Sequence, residues 1–86
     1  MHTVELLQEA LEVARNLGYE VRQDWLCGNG GGHCLVRGRK WLLLDVAQSA
    51  EEQLEVVTDA LRTEPGAARA VRSVELAERL NVRMAA

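Results

Sequence analysis

Apolar residues recur every three or four positions at the start of the chain and every second position after it. Val4, Leu7, Leu11 and Ala14, joined by Leu6, Ala10, Val13 and Leu17, form one broad apolar face, with Glu5, Glu9 and Glu12 on the other side. The spacing predicts a helix from about residue 3 to 17. Thr3 reads as its N-cap, and Gly18 as a left-handed residue closing its C-terminus. Tyr19, Val21 and Trp25 then alternate with Glu20, Arg22 and Asp24, the period of a half-buried strand. Gly28-Asn29-Gly30-Gly31-Gly32 ends it. A second strand is expected over His33–Arg37, with Gly38-Arg39 as tight-turn chemistry, and a third over Lys40–Val46. That third strand is apolar on both faces through its middle, so it should be covered on both sides.

Ser49 followed by Glu52 is a capping-box signature, and Leu54, Val57 and Leu61 lie on one face of the helix it opens. Thr63-Glu64-Pro65-Gly66 ends that helix. In the tail, Ser73 can cap a short helix through Val74, Leu76, Ala77 and Leu80, or one longer helix can start near Ala67. The element order is α-β-β-β-α-α. Its simplest assembly is an α+β domain over residues 1–86: a three-stranded antiparallel meander, two helices on one face, and a C-terminal helical segment. Leu42, Leu44 and Val46 would share the buried face with Val21 and Val36. Trp41 and Leu43, with Leu35 beside them, would point the other way.

At 86 residues the chain has the size of a single domain, and 48% of it is apolar, enough for a packed core. No apolar run is long enough to span a bilayer. The opening Met-His-Thr-Val-Glu lacks the basic and apolar regions of a secretion signal, so a cytoplasmic location is expected. Net charge is −3, with the acidic excess concentrated between residues 47 and 64. Such a balance does not favour nucleic acid, although Arg37-Gly38-Arg39-Lys40-Trp41 sets basic residues beside an aromatic.

Candidate chemistry centres on Cys27-Gly-Asn-Gly-Gly-Gly-His33-Cys34. In a meander the first two strands are neighbours, and Cys27 would lie nearly opposite His33 or Cys34, near enough for a disulfide. The same three donors begin a zinc or redox site, with His2 or a carboxylate as a fourth ligand. The expectation is nevertheless two reduced, metal-free cysteines, since disulfides are rare in the cytosol. Gly28, Gly30, Gly31 and Gly32 suit a flexible hairpin or a close backbone approach to an anion or a partner. Asp45, at the end of an apolar strand, joins them as a ligand-binding candidate. Asp24, Asp45 and Lys40 are the set an enzyme would use, and a helix followed by three strands carrying them partly resembles the core of restriction-endonuclease-like nucleases. Their Glu-x-Lys or Asp-x-Lys strand is missing here, and no catalytic residue is assigned.

The segments Leu17-Gly-Tyr-Glu-Val-Arg-Gln-Asp-Trp-Leu, Gly-Gly-Gly-His-Cys and Arg39-Lys-Trp-Leu-Leu-Leu-Asp-Val-Ala resemble a small family of uncharacterised bacterial proteins. The likeness covers about residues 10–62. It implies a bacterial cytosolic setting and no particular activity.

The reading that follows is a small accessory or binding protein with no cofactor, acting through a protein interface. Leu35, Trp41 and Leu43 form the interface candidate, and a homodimer is the expected assembly. A meander also leaves the third strand at an edge, where its free backbone groups invite pairing.

Overall fold

A computed structural model describes residues 2–82. The elements follow in the order α1 (Thr3–Asn16), β1 (Tyr19–Asp24), β2 (Gly32–Val36), β3 (Arg39–Asp45), α2 (Ala50–Arg62), α3 (Ala67–Ala70) and α4 (Val74–Leu80). The α+β class is as expected, and so is the run of elements up to α2, after which the tail holds two helices rather than one; the sheet, however, is not a meander. Its strand order is β1-β3-β2, with β3 antiparallel to β2 and parallel to β1.

The departure starts at the β2–β3 turn. Arg37 and Gly38 have φ of 51° and 80°, the pair of left-handed conformations that a two-residue type I′ hairpin requires. The turn is therefore Arg37-Gly38, one residue earlier than expected. It returns the chain along β2 and into the gap beside β1. Tyr19 pairs with Lys40 and Asp24 with Asp45 on one side, while Gly32 pairs with Leu43 and Val36 with Arg39 on the other. A strand that is apolar on both faces thus becomes the central strand rather than an edge. The segment from Trp25 to Gly31 then has to pass over the C-terminal end of β3, a span of roughly 9–10 Å between the strands it joins.

Register fixes the faces. Leu42 and Leu44 are fully buried under the helices, with Tyr19 and Val21 beside them. Trp41 and Leu43 lie on the opposite face and are half-buried. Two expected positions change sides. Leu35 pairs with Lys40 and so belongs to the helix-covered face, while Val36 pairs with Arg39 and belongs to the outer one. Neither is covered: Leu35 is 70% exposed and Val36 49%. Trp25 lies beyond the end of β1 and is 66% exposed, and Val46 is also exposed.

The helices form according to their patterns. In α1, Leu6, Leu7, Ala10, Leu11, Val13 and Ala14 are buried, whereas Val4 is exposed. Its N-cap is His2; Thr3 instead donates its hydroxyl to Glu51 across the helix pair. Gly18, at φ 95°, ends the helix as expected. The capping box of α2 is complete, with Ser49 Oγ accepting from Glu52 N–H at 3.2 Å and Glu52 Oε1 accepting from Ser49 N–H at 3.0 Å.

In the tail, α3 and α4 are separate helices, and Ser73 Oγ caps α4 by accepting from Leu76 N–H. Glu9 reaches over from α1 to accept the N–H groups of Arg72 and Ser73. Arg79 pairs with Glu51 of α2 at 2.7 Å. Leu76, Ala77 and Leu80 are buried as α4 packs against α1 and α2. The tail through Val82 is therefore part of the helical layer and leaves the outer sheet face open. Residues 83–86 lie outside the described residues.

The crossing segment lies directly against the β3 backbone at Gly31. A Cβ there would overlap the carbonyl oxygen of Leu43, lie 2.7 Å from its carbonyl carbon and lie 3.1 Å from Leu44 Cα. Backbone cannot retreat as a flexible side chain can. Gly32 has nothing within 4 Å of the corresponding position. Gly31→Ala should therefore destabilise the fold by about 1–3 kcal/mol. Gly32→Ala should stay within about 0.5 kcal/mol of the parent in the same urea titration. Equal midpoints for the two variants would contradict this path for the loop.

Candidate functional site

Asp45 is the last residue of β3 and is fully buried. Its Oδ1 accepts N–H of Leu26 at 3.1 Å and of Ala47 at 2.9 Å, and its Oδ2 accepts N–H of Gly30 at 3.0 Å. The Gly28 N–H is also directed at it. The loop can present so many donors because its backbone turns repeatedly into left-handed conformations. Cys27, Gly28 and Gly30 have φ of 58°, 77° and 82°, and Asn29 N–H closes a turn onto Leu26 O at 3.1 Å. This is a backbone nest for an anion. The anion it holds is the chain's own carboxylate.

Burial alone would raise the pKa of Asp45. The surrounding N–H groups of Gly30, Ala47, Leu26 and Gly28 outweigh it and hold the carboxyl below the ordinary aspartate value of 3.8. The loop expected to be a free hairpin is thus a crossover fastened at its middle. Of the glycine candidates, Gly28 and Gly30 direct their N–H groups at Asp45 and Gly31 lies against β3, with Gly30 also lying under the Gln48 side chain.

The other candidates are dispersed. Because β3 lies between β1 and β2, Cys27 is not opposite His33 or Cys34. Cys27 occupies the exposed turn after β1, Cys34 lies within β2, and both are free thiols. No group of three or more metal-capable side chains gathers among the described residues. Asp24 accepts Trp25 N–H and pairs with Arg22 at 3.9 Å. Lys40 sits at the far end of β3 from Asp45, about 16 Å along the strand. The set Asp24, Asp45 and Lys40 does not converge.

Lys40 belongs to a cluster that the pattern of the sequence did not single out. Its ammonium donates to Leu17 O at 2.6 Å and to Glu64 Oε1 at 3.2 Å, and lies 5.1 Å from the centroid of the Tyr19 ring. It ties the end of α1 and the end of α2 to the start of β3. Burial raises the Tyr19 pKa, and the hydrogen bond and negative charge of Glu64 raise it further, against an opposing hydrogen bond with Thr63. These residues floor a cleft of about 370 Å³ that opens beside β2, walled by His33, Cys34 and Leu35.

On the outer face, charge and apolar surface separate. Glu20, Arg22 and Asp24 line the β1 side, where Glu20 pairs with Arg39 at 3.4 Å. Trp41 and Leu43 continue toward β2, where Cys34 lies beside Trp41 and Val36 beside Arg39. Every residue of β2 after Gly32 is exposed. The interface candidates therefore divide between two faces: Trp41 and Leu43 outside, Leu35 on the helix side. What they have in common is proximity to β2.

Comparison with protein-family models, curated proteins and solved structures returned no match. Among the described residues no helix is long and apolar enough to cross a membrane.

Asp45 gives a pH signature. Its lowered folded pKa contributes stability that is fully present above the ordinary value of 3.8 and is lost as pH falls through the folded value. Asp45→Asn leaves a neutral amide whose NH₂ faces backbone donors. It should lower Tm at neutral pH by on the order of 10 °C and flatten the fall of Tm below about pH 4. Thermal scans across pH 2–7 that superimpose for parent and variant would contradict the role given to this carboxylate.

Proposed function

We propose that this protein is a small cytoplasmic binding protein without catalytic activity, which acts through the β2 side of its sheet and associates there as a homodimer. The observation that carries this reading is the exposure of β2 and its surroundings. Leu35 is presented on one face, Val36 on the other, and the half-buried Trp41 and Leu43 adjoin them. Isolated exposed apolar residues are ordinary, but a contiguous set around a free strand marks an interaction surface. The described tail is committed to α1 and α2 and does not cover the outer face. A non-catalytic role is supported by the engagement of Asp45 with the loop and of Lys40 with Leu17 and Glu64. A bacterial source accords with the resemblance of the glycine and Lys-Trp-Leu segments.

Sedimentation equilibrium of the purified protein tests the reading. A reversible dimer should appear as concentration rises. Val36→Lys, which sets a charge on an exposed strand, should weaken association about tenfold or more with the circular dichroism unchanged. A monomer at every concentration overturns the homodimer.

A further inference from the structure

We infer, resting on the assembly through β2 just proposed, that two copies join their β2 strands antiparallel about a two-fold axis at Cys34, making one continuous six-stranded sheet. The two edges of this sheet differ in the direction that matters. Along β1, the outward-facing residues are Glu20, Arg22 and Asp24, and charges on an edge oppose pairing with another chain. Along β2 the residues are Gly32, His33, Cys34, Leu35 and Val36, with no acid, lysine, arginine or proline. The strand is regular and exposed from His33 to Val36.

The type I′ turn sets which backbone groups are free. It makes Val36 and Arg39 a hydrogen-bonded pair, and alternation then assigns Cys34 and Gly32 to bonds with β3. The N–H and C=O groups of His33 and Leu35 point away from the sheet. A two-fold axis normal to the sheet preserves faces, so only registers pairing odd residues with odd are allowed. Placing the axis at Cys34 sets His33 against Leu35 of the other copy, and Leu35 against its His33. Gly32 then meets Val36, which gives that side chain room. All of β2 is used, and no like charges face each other, since Arg37 meets Gly31. Moving the axis by one residue toward the turn would instead set Arg37 against His33 of the other copy.

The cleft beside β2 gives the added strand somewhere to put its inward side chains. Strand addition draws affinity from backbone bonds and selectivity from such alternate pockets. Leu35 and His33 of one copy enter at the mouth walled by the same residues of the other, above Thr63 and Glu64. On the outer face, the two Trp41 residues flank the axis on either side of the paired cysteines. Cys34 meets its own copy at a non-hydrogen-bonded position, where Cα atoms are about 4.5 Å apart, within the range a disulfide spans. The thiol is therefore a reporter of the register.

Two single-cysteine forms of the full chain test it. Cys27→Ser retains Cys34, and Cys34→Ser retains the equally exposed Cys27. Each is treated with copper(II)-phenanthroline, which takes up the electrons as two thiols lose their protons and join. Sedimentation of the reduced proteins is run in parallel. The Cys34 form should couple into a covalent dimer roughly 100-fold faster than the Cys27 form, because the pair is held at high effective concentration. Adding Val36→Lys to it should remove that advantage. A protein that sediments as a dimer while Cys34 couples no faster than Cys27 overturns the register and leaves β2-side assembly standing. A monomer throughout overturns both.

Discussion

The Asp45 carboxylate and the backbone N–H groups around it hold the connection on which the sheet depends. A central β3 separates the two strands that precede it, so the chain must pass over its end. A loop making that passage has no strand to pair with, and its N–H groups would lose water without gaining partners. Asp45 accepts from Leu26, Gly30 and Ala47 at once. The exchange is reciprocal. A carboxylate fully out of solvent is unfavourable unless several donors surround it, and here Leu26 and Gly30 of the loop supply two of them beside Ala47. Gly31 allows the loop to lie directly on the Leu43 carbonyl.

From that passage follows the distribution of surfaces. With β3 enclosed on both sides, its apolar residues no longer lie on an edge, and the edges fall to β1 and to the more exposed β2. The helical layer, tied by Glu9 to the start of α4 and by Arg79 to α2, covers one face only. Lys40 bonds the other end of β3 to α1 and α2, so the central strand is fixed at both ends by a charged side chain. The residues with reactive side chains are spread by the same topology, since β3 separates the turn carrying Cys27 from the strand carrying Cys34.

Much of this was legible in the sequence, and the part that was not has a definite cause. The 3.6-residue period of α1, the Ser49–Glu52 box and the Ser73 cap each depend on residues a few positions apart, and each is present in the structure. Strand order depends on contacts distant in sequence, and the rule that consecutive strands pair is only a tendency. Two signals pointed to the observed order. A strand apolar on both faces belongs in the middle of a sheet, and four glycines exceed what a hairpin needs. The assignment of Leu35 and Val36 to faces went wrong with the turn, because a shift of one residue moves every side chain of a strand to the other side. For the site, Asp45 stood out by position, but its role was invisible without knowing that the glycine loop crosses above it.

The most direct measurement is amide hydrogen exchange resolved by residue, followed through acid titration. The Leu26 and Gly30 amides, which Asp45 accepts, should exchange far more slowly than the Cys27 amide of the same loop. Their chemical shifts should titrate with an acid midpoint below the ordinary aspartate value. Exchange of Leu26 and Gly30 as fast as that of Cys27, with no shared titration, would contradict the tether and with it the account of how β3 comes to lie at the centre of the sheet.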